Sequence, residues 1–119
     1  MNNGEKHVRH PESTIISHLE CAVSACDAGL SLFKDGNYSK FPDGKEREIM
    51  AYCKMCSAYM KSAQDLDTTY STVYREFSEG GDETNCRIGK NRWCFAKQEF
   101  AKARITDLRN QLRVSGYKI

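Results

Sequence analysis

Hydrophobic positions recur at steps of three and four through three long stretches of this chain. In the first, Ile15, Leu19, Ala22, Cys26, Leu30 and Phe33 fall within one stripe at about 100° per residue. That spacing predicts a helix opened by the cap-forming run Pro11-Glu12-Ser13-Thr14 and closed by Asp35-Gly36-Asn37. After a loop through Tyr38, Phe41 and Pro42-Asp43-Gly44, a second helix places Ile49, Cys53, Cys56, Met60 and Ala63 on one face. The pattern revives at Leu66, Tyr70, Val73, Tyr74 and Phe77. Between the two blocks lies Asp67-Thr68-Thr69, where β-branched and capping residues weaken a helix, so either one bent helix or two joined helices is expected. Glu79-Gly80-Gly81-Asp82 is a stop, and a polar loop runs on to about Asn91. A last helix is predicted over 92–114, with Phe95, Ala101, Ile105, Leu108 and Leu112 as its apolar side and Ser115-Gly116 as its end.

These periods predict an all-α fold, an antiparallel bundle of three to four helices. Residues 1–12 are expected to be a short disordered tail, and 13–119 a single helical domain of ordinary size. Only Pro11 and Pro42 could break a helix, and neither interrupts an apolar period. A charged fraction of 29% with a hydrophobic fraction of 39% suits a folded, polar protein. No run of eighteen apolar residues occurs, so no membrane partner is expected. The opening MNNGEKHVRHPEST lacks the apolar segment of an export signal, and the expected setting is the cytoplasm, where thiols are normally reduced. Asn37-Tyr38-Ser39 fits a glycosylation acceptor and would matter only in a secreted chain.

Six cysteines raise the question of chemistry. Cys53-Lys54-Met55-Cys56 has the spacing of a metal clip or a redox pair, and equally the spacing of one helix face. Zinc wants two close ligand pairs, and His18 with Cys21 is the obvious second one. On a helical wheel, however, Cys21 falls roughly 140° and His18 roughly 75° from the core stripe. Redox Cys-x-x-Cys motifs favour thiolate at a helix N-terminus, whereas Cys53 lies about two turns in, among apolar neighbours that would raise its pKa. A helical peroxidase site would also need a histidine soon after the second cysteine, and Ser57-Ala58-Tyr59 follows instead. The favoured reading makes Cys26, Cys53 and Cys56 small buried apolar residues; a thiol or zinc protein built on those three is the alternative. Cys86 and Cys94 could close a loop if oxidised, and are read as ordinary thiols in a reducing compartment.

Catalytic constellations are not apparent. His7 and His10 lie in the tail and His18 at the margin of the first helix, leaving no base for a Ser-His or Cys-His site. Gly80-Gly81 and Gly89-Lys90 do not make a phosphate loop, and the acidic pairs Glu46/Glu48 and Asp65/Asp67 diverge on a helix. No catalytic residue and no cofactor is assigned, and the chain is expected not to be an enzyme.

Charge is distributed unevenly. Residues 1–86 hold nine Lys/Arg against fourteen Asp/Glu, a net −5, while residues 87–119 hold nine against two, a net +7. Arg87, Lys90, Arg92, Lys97 and Arg104 could therefore contact an acidic partner or a phosphate backbone, with Trp93 available to stack on a base. A nucleic-acid-binding regulator using 87–113 is the alternative function, although no recognised nucleic-acid motif is present. The plainer account is internal pairing of a basic last helix with an acidic second one. Tyrosines offer a different surface. Tyr52 and Tyr59 lie seven residues apart beside the core stripe of the second helix, and with Tyr70 and Trp93 they form the expected partner-binding set. The function expected is that of a small non-enzymatic cytoplasmic binding protein, an adaptor, inhibitor or regulator acting through protein–protein contacts, homodimerisation included.

Overall fold

The computed structural model describes residues 11–33, 41–79 and 92–116, with side chains at 76–79 and 92–96 left undescribed. Four α-helices lie among them: α1 (Pro11–Leu30), α2 (Glu46–Leu66), α3 (Ser71–Glu79) and α4 (Arg92–Val114), with a 3-10 turn, Thr68–Tyr70, between α2 and α3. The fold is all-α, as the periods predicted. Expectations placed on residues 1–10, Asp35-Gly36-Asn37, Tyr38, Gly80-Gly81-Asp82, Cys86, Arg87 and Lys90 lie outside the described residues. So do those placed on the side chains of Phe77, Arg92, Trp93, Cys94 and Phe95.

Local chemistry accounts for most of the boundaries. Pro11 occupies the first turn of α1, where its missing N–H costs nothing, so the helix begins inside the segment expected to be tail. At the other end Leu32 N–H donates to Gly29 O (3.2 Å) and Phe33 N–H to Leu30 O (3.1 Å), tightening the chain to 3-10-type bonds. This turn seats Phe33 on Phe41, ring centroids 5.9 Å apart, so two buried aromatics clasp the ends of the α1–α2 connection. Pro42 O then accepts from Lys45 N–H (3.1 Å), and Gly44 sits at φ +76°, a conformation that glycine takes without strain. α2 stops at Asp67, whose φ −108° and ψ 81° leave the helical region; the chain is two helices here, not one bent one.

The stripes expected on α1, α2 and α4 form the core, whereas of the block Leu66, Tyr70, Val73 and Tyr74 only Tyr74 is fully buried and Leu66 is exposed. Ile15, Leu19, Ala22 and Cys26 of α1 meet Ile49, Cys53, Cys56, Met60 and Ala63 of α2, joined by Ala101, Ile105, Leu108 and Leu112 of α4. α1 packs against both α2 and α4, while α3 lies on α2. Asp27 accepts from Gln98, and Glu20 is paired with Arg109, so α1 and α4 run antiparallel. Lys97 reaches Ser57 and Arg104 reaches Asp67, so α4 runs parallel to α2. Gly29 lets α1 and α2 approach closely: a Cβ there would stand 3.2 Å from the Cβ of Tyr52.

Candidate functional site

Two regions carry features beyond packing. The first is an outward groove of about 440 Å³ where α1 meets α2. On α1, Ser17, Cys21 and Ser24 recur at steps of four and three; they are exposed and too small to fill the seam. On α2, Tyr52, Met55 and Tyr59 recur at steps of three and four and form the opposite wall. The two tyrosines are half-buried, and Met55 is 45% exposed. Small residues facing large ones make a trough of helical pitch. Of the expected partner-binding set, Tyr52 and Tyr59 come together here. Tyr70 does not: its ring lies under the Arg104 guanidinium, 3.8 Å from carbon to centroid, and serves an internal contact.

The second region is internal. Cys26, Cys53 and Cys56 are all buried, as their stripe required. Cys53 is disulfide-bonded, a correction to the reading that made it a reduced core residue. Cys26 and Cys56 are free thiols, as is exposed Cys21, and the sequence's other two cysteines lie outside the described side chains. The zinc alternative on Cys26, Cys53 and Cys56 is not assembled, because a disulfide sulfur offers no thiolate. Among the described residues no group of three or more His, Cys, Asp or Glu could hold a metal ion.

Lys97 reaches this interior from α4 and is completely buried. Its Nζ donates to Ser57 Oγ (2.6 Å), and that hydroxyl donates to Cys53 O (3.1 Å), one turn back on α2. The Cys56 thiol is held below the ordinary cysteine range: a hydrogen bond from Cys26 contributes most, and the Lys97 charge adds to it against the opposing effect of burial. The raised pKa expected from apolar neighbours concerns Cys53, which is disulfide-bonded and does not titrate; at Cys56 the groups from α1 and α4 outweigh burial.

A third cluster is structural. Asp67 is buried and accepts from Arg104 through both oxygens, Nε to Oδ2 at 2.8 Å and Nη2 to Oδ1 at 3.1 Å. The same Oδ2 accepts from Tyr74 Oη at 3.0 Å, and Tyr74 packs edge-on against Phe100. Arg104 also donates to Asp107 Oδ2 (2.9 Å). Burial pushes the Tyr74 hydroxyl far above the ordinary tyrosine range, and the Asp67 charge adds to it. Arg104 is held even more firmly protonated than usual: burial opposes this, but the Asp67 carboxylate outweighs it.

Lys97 and Arg104 therefore leave the set of basic residues proposed for an acidic partner or a phosphate backbone, since neither side chain is accessible. Internal pairing with the acidic part of the chain takes up Arg104 and Arg109, two of the nine basic residues of 87–119, though not in the expected form: the acidic partners are Glu20 on α1 and Asp67 just beyond α2. Sequence reasoning passed over Ser17, Ser24 and the role of Lys97. The step of seven from Ser17 to Ser24 was visible; nothing local to Lys97 marks it as buried. Comparison with protein-family profiles, curated proteins and solved structures gives no match.

Proposed function

We propose that this chain is a small, non-enzymatic helical binding protein that acts through protein–protein contacts at the α1/α2 groove. The observation that carries the reading is the trough itself. Exposed Met55 stands between half-buried Tyr52 and Tyr59, opposite a row of small side chains at helical pitch. Such a trough suits an amphipathic helix, offered by another protein or by a second copy of the chain. Tyrosine and methionine suit the task, combining large contact area with tolerance of partial exposure. The nucleic-acid alternative loses its two best-described basic residues to the interior, so the protein-binding reading is preferred.

Among the described residues no helix is long and apolar enough to cross a membrane. Free thiols at Cys21, Cys26 and Cys56 suit a cytoplasmic setting. A disulfide at Cys53 would there be of the kind that cytosolic proteins keep for redox chemistry.

A photo-crosslinking benzophenone side chain placed at position 55 in the native host tests the groove. The same side chain at Thr106, exposed on α4, is the control. Adducts of one defined mass at position 55, absent at 106 and lost when Tyr59→Glu is added, are expected; a mass of twice the chain would identify a homodimer. Equal labelling at both positions would sink the reading.

A further inference from the structure

α2 carries two heptad stripes, and the core uses one of them. Ile49, Cys53, Cys56, Met60 and Ala63 recur at steps of four and three and are buried. Tyr52, Met55, Tyr59, Ser62 and Leu66 recur at steps of three and four along the outer side of the same helix. Met55 is 45% exposed and Leu66 48%, two of the three large apolar side chains that stand exposed among the described residues. A second apolar seam of this period suits packing against a further helix. α1 runs beside the seam with a row of its own. Thr14, Ser17, Cys21 and Ser24 are exposed and Ala28 is half-buried, again at steps of three and four. One face of the molecule thus shows a row of large side chains next to a row of small ones.

We propose, on the reading that this groove binds protein, that its partner is a second copy of the chain, related by a twofold axis along the groove, with α1 of each copy lying on α2 of the other. The rows interlock in register. Gly29 lies beside Tyr52 and the two helices run antiparallel, so at equal rise per residue Met55 stands level with the interval from Ser24 to Ala28. Tyr59 falls level with the interval from Cys21 to Ser24, Ser62 with that from Ser17 to Cys21, and Leu66 with that from Thr14 to Ser17. A twofold along the groove preserves these levels. Each member of the α2 row then meets a gap between two small side chains of the other copy, as knobs meet holes. An axis across the helices would instead set tyrosine and methionine against their own kind, and hold the small rows apart.

Charge selects the same arrangement. α1 holds Glu12, Glu20 and Asp27 and no lysine or arginine, whereas α2 from Ile49 to Gln64 holds Lys54 and Lys61 and no acid. Glu20 and Asp27 lie on the edge of α1 that faces α4, about 100–120° round the helix from Cys21. Lys54 and Lys61 are exposed on the far edge of α2, about 100–120° from Met55. These are the flanking positions of a helix pair, where charge chooses the partner. By the same register Lys61 comes level with Glu20 of the other copy and Lys54 with Asp27. A carboxylate accepts from more than one donor, so the bonds of Glu20 to Arg109 and of Asp27 to Gln98 are kept. Each row is about 21 Å long and the two helices together about 20 Å wide, a footprint of roughly 400 Å² on each copy. An interface of that extent gives weak association, with the dimer forming from micromolar concentration upward.

The purified full-length chain tests the pairing without any substitution. Copies labelled with heavy nitrogen are mixed with unlabelled ones and treated with a carbodiimide, which joins a lysine only to a carboxylate in contact with it. Tryptic peptides that unite one heavy and one light half are expected, linking Lys61 to Glu20 and Lys54 to Asp27. Sedimentation equilibrium should show a monomer–dimer equilibrium. Met55→Glu should raise its dissociation constant about a hundredfold, because each copy would then press a carboxylate into the partner's small row. Met55 is exposed, so the variant keeps the helical circular dichroism of the wild type. A chain that stays monomeric up to millimolar concentration overturns the proposal. So does a dimer indifferent to Met55→Glu, or one whose mixed-isotope links join α2 to α2. If the pure chain is monomeric while position 55 still captures a different protein in the host, the groove reading stands and the second copy alone is excluded.

Discussion

At the scale of single residues, the polar interior is where physical chemistry outran sequence pattern. Asp67 reads along the chain as a helix breaker, and it does break the helix. It also supplies both carboxylate oxygens to a guanidinium that belongs to the most basic part of the sequence. Nothing local to Arg104 distinguishes it from exposed Lys102 or Arg113; only the register of α4 against α2 sends it inward. Removing Asp67 should therefore cost far more than removing a surface acid, because Arg104 would stay buried and charged without its partner. Asp67→Ala is expected to destabilise the fold by about 3–5 kcal/mol in urea unfolding. Asp67→Asn, which keeps one acceptor oxygen, should fall between it and the wild type. A loss below about 1 kcal/mol for the alanine variant would place the pair in the weak class of solvent-exposed bridges.

At the scale of elements, legibility followed the strength of the local signals. α4 spans the residues that its period and Ser115-Gly116 predicted, and Gly116 has the positive φ (+95°) of a helix-ending glycine. α1 is shorter than its stripe suggested, because Phe33 reaches the core from a 3-10-type turn and not from the helix. Periodicity alone cannot separate those two routes to burial. Nor does it reveal how closely two helices approach. Gly29 is a poor helix former in sequence terms, yet it sits where α1 comes close to α2 at Tyr52. Alanine at that position gains about 1 kcal/mol of helix propensity. It also places a methyl against the Cβ of Tyr52, an atom fixed to the α2 backbone that cannot swing aside. Overpacking of this kind costs about 1–3 kcal/mol, so Gly29→Ala should destabilise by roughly 1 kcal/mol net, with the midpoint of urea unfolding as the measure. A stabilised variant would mean that α1 and α2 separate without penalty. Because Tyr52 also walls the groove, the same variant should weaken partner capture at position 55.

At the scale of the whole molecule, one cluster joins the end of α2, the middle of α3 and the middle of α4. Tyr74, Asp67 and Arg104 do so by hydrogen bonds that no single helix could make. The long-range pairs that hold the bundle in register are polar, which is why a reading based on apolar stripes found the helices but not their mutual placement. This arrangement also fixes how stability should respond to alkali. Tyr74 is an acid whose pKa in the folded state lies above that in the unfolded chain, raised by burial first and by Asp67 next. The stability it contributes is complete below the unfolded value of about 10 and is lost as pH climbs from there through the folded value. Across that interval each pH unit removes about 1.4 kcal/mol, because the unfolded chain releases a proton that the folded one retains. The effect is isolated by difference, against a variant that lacks the hydroxyl. Tyr74→Phe keeps the edge contact with Phe100 and removes the ionisable hydroxyl. Near pH 8 it should be less stable than the wild type by about 1 kcal/mol, the worth of the hydrogen bond to Asp67. Above pH 10 the wild type should lose stability faster, so that the two urea midpoints converge and then cross. Curves that stay parallel through this range would mean that Tyr74 ionises as readily in the bundle as in the unfolded chain, and that its bond to Asp67 does not tie α3 to α2.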